Sequence, residues 1–250
     1  MKISAVILTK NEEKNIRECL KSLKFCDEII IVDDFSEDET VEIAKNYDSR
    51  FKIYERRLNG DFAAQRNYAL EKCSKDWALF IDADERVSKA LALEISKLKT
   101  QNSNLVGYDV RRQDILWGRK MKHGEFGQIK LLRLARKDAG KWKRQVHEVW
   151  EVKGKIGQLK NPIIHNPHQT LREFISDINW QSSLHAEAIL KEGKRASVGK
   201  IVLFPLAHFA RNWKFRLGFL DGTEGFVAAL IMSFHSFLAW SKLWIRQREK

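Results

Sequence analysis

The sequence is poor in residues that cross-link or stiffen a chain, with only three cysteines and three prolines among 250 residues. Three cysteines (Cys19, Cys26 and Cys73) cannot supply a disulfide framework, and so low a count is typical of a reducing compartment. The most apolar tract, residues 225–240, contains His235 and is shorter than the roughly 20 apolar residues that a membrane-spanning helix needs. Polar residues follow the first apolar run at once, so no secretory signal is expected. We therefore expect a cytoplasmic protein without a membrane span.

Motifs that define several common enzyme classes are also missing. The chain has neither a G-x-G-x-x-G after a predicted strand nor a G-x-x-x-x-G-K-[ST], which argues against a dinucleotide Rossmann site and a P-loop. It lacks the G-x-S-x-G nucleophile elbow and any paired-cysteine zinc pattern. Dehydrogenase, P-loop and serine-hydrolase chemistry are therefore not expected.

What the chain has in excess is positive charge. Forty-five Lys and Arg against 33 Asp and Glu give a formal net charge of +12. Such a surface attracts polyanions, namely nucleic acid, anionic lipid or phosphorylated small molecules. A nucleic-acid-binding module is one hypothesis for this charge, although no nucleic-acid motif is visible.

The first hundred residues alternate between short apolar runs, typical of buried strands, and segments with helical periodicity. The predicted strands are 4–8, 28–32, 51–54 and 77–81, and the predicted helices are 15–23, 38–47, 62–73 and one capped by Ser88. This alternation predicts βαβ units and a mostly parallel sheet flanked by helices. Beyond residue 100, segments 107–111 and 128–134 are predicted as strands of a mixed edge.

The last part of the chain has a different pattern. Residues 171–192 predict a long helix, and the last fifty residues hold ten Phe or Trp beside seven Lys or Arg. Helices of this composition can lie on an anionic membrane surface, and the alternatives are core packing or a contact between subunits. We divide the chain into an α/β catalytic domain, residues 1–165, and a helical, aromatic-rich region, residues 166–250.

Polar residues follow three of the four predicted strands. They are Thr9 to Glu12, Asp33-Asp34 and Asp82-Ala83-Asp84. Because ligands of open parallel sheets bind outside the carboxyl ends of the strands, we expect these residues to surround one crevice.

Asp82 and Asp84 offer two hard oxygen ligands close together, which suits Mg²⁺ or Mn²⁺ bridging a diphosphate. Such a metal would neutralise charge on a departing phosphate, whereas the alternative is that the acids only cap the next helix. The carboxylates of Asp33 and Asp34 can accept hydrogen bonds from a nucleoside, or can form a solvated turn.

The predicted third helix carries Gln65-Arg66-Asn67, which offers one cation and two amides. These side chains can face a ligand or lie on an exposed helix face.

Four segments together resemble the family 2 glycosyltransferases with the GT-A fold. They are residues 5–12 (AVILTKNE), 31–40 (IVDDFSEDET), 63–69 (AAQRNYA) and 80–85 (FIDADE). Residues 130–134, 145–148, 218–222 and 225–226 add a similarity to lipopolysaccharide core enzymes that attach β-linked glucose to heptose. The resemblance implies a GT-A-type α/β fold. It also implies inverting transfer of a sugar, glucose being expected, from a UDP-sugar to a lipopolysaccharide inner-core or related cell-envelope acceptor.

The resemblance also implies roles for particular residues. The nucleotide-sugar-binding residues would be Thr9, Asn11, Glu12, Asp33, Asp34, Gln65, Arg66, Asn67, Asp82 and Ala83. Asp82, Asp84 and His147 would bind the divalent metal, Mg²⁺ or Mn²⁺, and Asp84 is also counted as catalytic. Glu148 is the expected catalytic base, with Glu125 in reserve. For the pair His147-Glu148, a packed histidine beside a surface acid is the alternative.

A lipid-linked acceptor would place the enzyme at the inner face of the cell membrane. Two other functions stay open at this point: a nucleotidyltransferase-like or nucleotide-binding scaffold without sugar transfer, and the nucleic-acid-binding module.

Overall fold

The computed structural model describes residues 1–47, 51–99, 104–127, 129–146, 148–168 and 170–248. The chain divides into two compact units. Unit 1 comprises Met1–Arg112 and Lys130–His165, and unit 2 comprises Gln113–Ile129 and Asn166–Lys250.

The described strands and helices follow one another as the sequence predicts for an α/β chain with a helical end. The strands are β1 (Ile3–Thr9), β2 (Glu28–Asp33), β3 (Phe51–Glu55), β4 (Trp77–Asp82), β5 (Glu85–Val87), β6 (Leu105–Leu116), β7 (Arg119–Lys120), β8 (Ile129–Arg136), β9 (Gly140–Lys143), β10 (Val149–Val152), β11 (Lys155–Gln158) and β12 (Ile163–His165). The α-helices are α1 (Ile16–Ser22), α2 (Thr40–Lys45), α3 (Phe62–Lys72), α4 (Lys89–Leu98), α5 (Leu171–Lys191), α6 (Val198–Ala210) and α7 (Gly222–Arg248). A π-helical turn spans Arg211–Phe215 and a 3₁₀ turn spans Gly218–Asp221.

The main sheet of the described residues has the order β3-β2-β1-β4-β8-β6-β12-β5, and β7 and β11 also pair with β6. The neighbours β3, β2, β1 and β4 are parallel. Strand β8 is antiparallel to β4, so the sheet becomes mixed beyond β4. The four predicted strands and the mixed edge are therefore confirmed, although residue 128 of the predicted segment 128–134 lies outside the described residues.

Strands β1, β2 and β4 are buried on both faces, which explains their nearly unbroken apolar sequences. Ile7 of β1 belongs to a core with α1 and α4, whereas its neighbour Val6 belongs to a second core on the other face. In the second core, Trp142 of β9 and Trp150 of β10 stack with their ring centroids 5.3 Å apart. Each of these rings contacts Phe80 of β4 edge-on at 5.0 Å. The small β9-β10 hairpin therefore covers one face of the sheet.

Two of the four described helices of unit 1, α3 and α4, begin at a capping side chain. Ser88 accepts a hydrogen bond from the backbone N–H of Leu91, as the sequence predicts. Asp61 does the same for Ala64 at the start of α3. Asp38, at which the sequence predicts the second helix to begin, lies two residues before α2 and accepts a hydrogen bond from the N–H of Thr40.

Residues 113–129 belong to unit 2, whereas the sequence-based division places them in the first domain. The reason is packing: Met121 and Phe126 join the core that Phe174 of α5 forms with α7. The carboxylate of Asp221 also accepts hydrogen bonds from the backbone N–H groups of Lys122, at 2.9 Å, and His123, at 2.7 Å.

The glycine motif 218–225 allows close contact between backbones in unit 2. A Cβ at Gly225 would lie 2.2 Å from the carbonyl oxygen of Gly218, and one at Gly218 would lie 2.6 Å from that of Asn212. Both distances are below van der Waals contact, so side chains cannot replace these glycines without a backbone shift.

Among the described residues, Gly218–Arg248 is a segment long and apolar enough to cross a membrane, with a mean hydropathy of 1.4 over 18 residues. Only 39% of that window is buried. This finding reflects only the length and composition of the segment. Within unit 2, the core side chains Ala228 and Ile231 of α7 pack with Phe174 of α5.

Candidate functional site

Two buried arginines converge on the carboxylate of Asp82 at the end of β4. Arg66 of α3 donates from Nη2 to Asp82 Oδ1 at 2.9 Å, and Arg133 of β8 donates from Nη2 to Asp82 Oδ2 at 2.7 Å. Both arginine side chains are only 5% exposed, so each needs an anionic partner. The ion cluster thus joins helix α3 to strands β4 and β8.

Arg66 also reaches Glu148, which directly precedes β10. Its Nε donates to Glu148 Oε1 at 2.8 Å, and its guanidinium lies 4.8 Å from the ring of Trp142. One side chain of α3 therefore joins two carboxylates that are 66 positions apart in the sequence. Glu148, which the sequence proposes as the catalytic base, lies in the same cluster as Asp82.

Glu85, the first residue of β5, is the third carboxylate of the cluster. It is fully buried, accepts from Arg133 Nη2 at 3.0 Å, and accepts from the backbone N–H of Asp82 at 3.0 Å. Burial raises the pKa of Glu85; Arg133 opposes this rise and the Asp82 carboxylate adds to it. For Asp82, burial alone would raise the pKa, but Arg133 and Arg66 outweigh it and hold the pKa well below its usual range. Asp82 therefore stays ionised between two cations.

Asp84 has a different partner from Asp82. Its Oδ2 lies 3.0 Å from Nε2 of His165 at the end of β12. Burial would raise the pKa of Asp84, but the contact with His165 outweighs it and lowers the pKa. The Asp84 side chain is 26% exposed, so a ligand can reach it.

Of the described residues at this edge, Asp84 and His165 are the two that could hold a divalent cation. A carboxylate oxygen and a neutral imidazole nitrogen suit Mn²⁺. Both oxygens of Asp82 already accept from guanidinium groups. In the part of the chain that the structure describes, no group of three or more His, Cys, Asp or Glu is arranged to hold a metal ion. The residues present thus fit a cation that takes its further ligands from a bound substrate.

The Asp33-Asp34 pair forms the turn after β2. Asp33 is fully buried, and its two oxygens accept from the N–H and hydroxyl of Ser36 at 2.7 and 2.6 Å. Asp34 accepts from the backbone N–H of Leu58 at 3.0 Å and pairs with Lys10 at 3.1 Å. Asp33 therefore shapes the turn, whereas Asp34 holds the loop after β3 beside the strand ends.

The loop after β1 is tied to the loop after β2. The N–H of Asn11 donates to Ser36 Oγ at 2.8 Å, and its side-chain oxygen accepts from the N–H of Glu37 at 2.8 Å. The N–H of Glu12 donates to Thr40 Oγ1 at 2.6 Å. Within the described residues, the buried hydroxyl oxygen of Thr9 has no hydrogen-bond partner. The predicted residues of this loop are thus assembled at the carboxyl edge of the sheet.

Gln65 and Asn67, which flank Arg66, are engaged in contacts within the protein. The side chain of Gln65 forms two hydrogen bonds with Arg56, one of them from Gln65 Nε2 to the Arg56 carbonyl oxygen at 2.7 Å. Asn67 exchanges two hydrogen bonds of 2.9 Å with the backbone of Trp142. Both side chains therefore fix the surroundings of Arg66. Ala83 is buried, and its carbonyl oxygen accepts from Arg86.

His147 and Glu125 are the two other residues expected from the sequence. His147 lies outside the described residues. Glu125 lies in unit 2, where its Oε2 pairs with His208 Nε2 at 3.1 Å and accepts from Asn212 Nδ2 at 3.0 Å.

Arg133 contacts Asp82 and His165 contacts Asp84, although neither is among the site residues expected from the sequence. The signal for Arg133 is a single cation within the apolar segment LLRLA, because a buried arginine requires an anion nearby. The signal for His165 is weaker: a histidine directly follows the apolar strand residues Ile163 and Ile164. Its proximity to Asp84, 81 positions away, is not readable from the sequence.

Comparisons with known proteins place this chain among its relatives. A family model described as glycosyl transferase family 2 matches residues 4–152. LpsC of Rhizobium meliloti (strain 1021), a lipopolysaccharide core biosynthesis glycosyltransferase, is 32% identical over 256 residues, which cover 99% of this chain and 94% of LpsC.

Two solved structures share the fold. Residues 1–349 of S. aureus TarS, in complex with UDP, match with a TM-score of 0.51 and 16% identity over 100% of this chain and 92% of that one. The mannosyltransferase PcManGT of Pyrobaculum calidifontis, in complex with GDP-Man and Mn²⁺, matches with a TM-score of 0.53 and 12% identity over 97% and 86%. These likenesses confirm the predicted GT-A-type α/β fold.

Proposed function

The chain belongs to glycosyl transferase family 2 and is a glycosyltransferase related to lipopolysaccharide core biosynthesis, and from this premise we propose its reaction. It moves a sugar, with glucose as the first candidate, from a UDP-sugar to a hydroxyl of an inner-core heptose or a related cell-envelope glycan. The transfer inverts the configuration of the anomeric carbon.

The observation that carries this proposal is the cluster of Arg66, Asp82 and Glu148 beside Asp84. An inverting transferase needs a carboxylate that accepts the proton of the attacking hydroxyl. Glu148 is partly buried, and Arg66 Nε holds one of its oxygens at 2.8 Å. The position of that carboxylate is therefore fixed before a substrate binds.

The proton and the electron pair move in opposite directions in this reaction. The acceptor oxygen attacks the anomeric carbon from the face opposite the diphosphate, and its proton passes to Glu148. The bond between the anomeric carbon and the diphosphate oxygen breaks, and the electron pair leaves with UDP. Arg66, which contacts both Asp82 and Glu148, orients the base toward the strand ends.

The donor binds along the carboxyl edge of the sheet. Asp34 is only 14% exposed and is fixed by Leu58 N–H and Lys10, so its carboxylate is positioned for a ribose or base donor group. The unpartnered hydroxyl of Thr9 lies on the same edge.

Asp84 and His165 are the residues that would hold a divalent cation. A bound cation neutralises negative charge on the diphosphate. The solved structure of PcManGT contains Mn²⁺ together with GDP-Man, which supports a metal in this family without fixing the ligands of this chain.

A lipid-linked acceptor places the enzyme in the cytoplasm at the inner face of the cell membrane. The net charge of +12 favours both phosphorylated substrates and an anionic surface.

A thermal-shift screen of UDP- and GDP-sugars with and without Mn²⁺ tests the donor and the metal together. We expect UDP-glucose with Mn²⁺ to raise the Tm most, because a ligand that binds only the folded state stabilises it by mass action. Asp84→Asn should lose the Mn²⁺-dependent part of the shift and nearly all transfer. Asp138→Asn is the matched control, since its side chain is 73% exposed and pairs only loosely with Arg136 at 3.7 Å.

Three results would change the proposal. Consumption of a nucleoside triphosphate instead of a UDP-sugar would indicate a nucleotidyltransferase. Full transfer activity in EDTA would show that the reaction does not need a divalent metal. A larger Tm shift with a GDP-sugar than with any UDP-sugar would show that the donor is a GDP-sugar.

A further inference from the structure

Residues 198–220 of unit 2 expose apolar side chains at unusual density. Six of them are more than half exposed, and we name them together the 198–220 surface: Val198, Val202, Leu203, Leu206, Phe215 and Leu220. Phe215 is 74% exposed. Among the described residues of unit 1, only Leu93 and Val149 are large apolar side chains exposed to this degree.

Helix α6 supplies most of this surface, and its sequence does not suit a helix in water. Its thirteen residues, VGKIVLFPLAHFA, include a single lysine and are apolar around the whole helix. Helices of this kind are found inside a core or in contact with a membrane. In α6 only Pro205 is buried, and seven of the thirteen residues are exposed.

The same segment carries cations and no acids. Residues 198–220 contain four Lys or Arg and no Asp or Glu. Three of these cations, Arg211, Lys214 and Arg216, are exposed and surround Phe215 in the chain. The next acid, Asp221, is buried and bonded to the 122–123 backbone. Exposed apolar groups and exposed cations therefore occupy one short stretch.

We propose that the 198–220 surface docks this enzyme onto an anionic lipid bilayer. Apolar side chains enter the boundary between headgroups and acyl chains, and Arg211, Lys214 and Arg216 contact the anionic headgroups. The long stems of these cations allow their charged ends to stay in the headgroup layer. This inference rests on the proposed function insofar as a lipid-linked acceptor lies in such a bilayer.

A second copy of the chain fits this surface less well than a bilayer does. In a two-fold dimer the same patch of each subunit faces the other, so eight cations would meet without an acid from either 198–220 segment. Like charges brought together at an interface oppose association. Anionic headgroups neutralise the cations instead.

Vesicle sedimentation of the full chain tests the docking surface. Vesicles of phosphatidylcholine alone are compared with vesicles of equal parts phosphatidylcholine and phosphatidylglycerol, without any sugar nucleotide. We expect the wild-type protein to bind the anionic vesicles and to be released by high salt.

Two variants alter the surface, and each has a matched control in unit 1. The combined change Arg211→Gln, Lys214→Gln and Arg216→Gln should weaken binding about 100-fold, at roughly fivefold for each cation. Leu206→Ser with Phe215→Ser should weaken it about tenfold for each side chain. Leu93→Ser, and Lys141→Gln with Lys143→Gln and Lys153→Gln, change exposed residues of unit 1 and should leave binding unaltered.

The outcomes separate this proposal from the proposed function. Unchanged vesicle binding by both surface variants would overturn it, as would a wild-type protein that binds no vesicles. A concentration-dependent dimer that the surface variants abolish would assign the surface to a second copy, and resistance to high salt would assign Gly218–Arg248 to a membrane span. Binding of UDP-glucose, measured on the same protein samples, tests the site in unit 1. A protein that binds vesicles but no UDP-glucose would contradict the proposed reaction and leave the docking surface in place.

Discussion

The two units of this chain differ in which unfavourable groups they contain. Unit 1 has charged side chains in its interior, and unit 2 has apolar side chains on its surface. Unit 1 buries charge: Arg66, Arg133 and Glu85 are all buried. Unit 2 exposes apolar groups: of the 21 large apolar side chains that are exposed among the described residues, all except Phe35, Leu93, Val149 and Ile156 lie there. Buried charge is unfavourable unless paired, and exposed apolar surface is unfavourable in water.

The difference indicates a division of work between the units. In unit 1 the buried charges are paired around Asp82, which positions Glu148 in advance of a substrate. In unit 2 the exposed apolar groups find no such compensation within the unit, which points to an external partner. Four predictions test this contrast, from the largest expected effect to the smallest.

Replacing Arg133 should destabilise unit 1 most. Arg133→Met leaves Asp82 and Glu85 without one of their cations, and breaking a buried ion pair in this way lowers the free energy of unfolding by about 3–5 kcal/mol. Denaturant unfolding measures the change. The matched control is Arg136→Met on the same strand, whose partner Asp138 is exposed; we expect a change within about 0.5 kcal/mol. Equal effects of the two variants would show that the buried cluster is not a stabilising element.

Replacing the proposed base tests whether catalysis belongs to unit 1. Glu148→Gln should lower turnover by ~10²-fold or more, the usual scale for a positioned base, while the affinity for the UDP-sugar is retained. Steady-state kinetics and donor titration give the two quantities. Glu125→Gln in unit 2 is the comparison, and we expect its turnover to stay near that of the wild type. The reverse result would move the base to Glu125.

Glu28 allows a pH test of paired charge in unit 1. Burial alone would raise its pKa, but hydrogen bonds from Lys52, Ser4 and Ser74 outweigh it and hold the pKa at about 2. Since this lies below the ordinary value of 4.5, the stabilisation is complete above pH 4.5 and is lost as the pH falls through the folded-state value.

Glu28→Gln should therefore destabilise the protein by about 2 kcal/mol at pH 7, and the difference from the wild type should shrink toward pH 2. Unfolding curves across this pH range measure it. Glu42→Gln, on the exposed face of α2, is the control. A difference that does not depend on pH would mean that the charge of Glu28 is not what its three partners stabilise.

The smallest effect is expected for an exposed apolar residue of unit 2. Phe215→Ser should change the free energy of unfolding by no more than about 0.5 kcal/mol, because the side chain is 74% exposed. Phe174→Ser in the same unit should cost about 3–5 kcal/mol, because Phe174 is 1% exposed. A large loss for Phe215→Ser would show that its ring is packed in solution, and the contrast between the units would disappear.

The strands and helices of unit 1 could be predicted from local sequence patterns. Apolar runs such as Glu28–Asp33 indicate strands buried on both faces, and Ser88 marks a helix start by a hydrogen bond within three residues. The position of Asp82-Ala83-Asp84 at a strand end follows from the same reasoning. Unit 2 was harder to predict. Phe174 is buried and Phe215 is exposed because of how the helices pack, and the residue type is the same in both cases.

The sequence by itself determined the parallel strands of unit 1 and the gathering of Asp34, Asp82 and the 9–12 loop at one edge, because strand periodicity and βαβ connection rules act over short distances. Only the tertiary structure decided the partners: Asp82 bonds Arg66 and Arg133, whereas Asp84 faces His165. Those contacts span 16 to 81 positions of the chain, and several cations could have served each acid equally well by charge alone. Packing selects among them, since a buried ion is tolerated only where the fold delivers its counterion within hydrogen-bond distance.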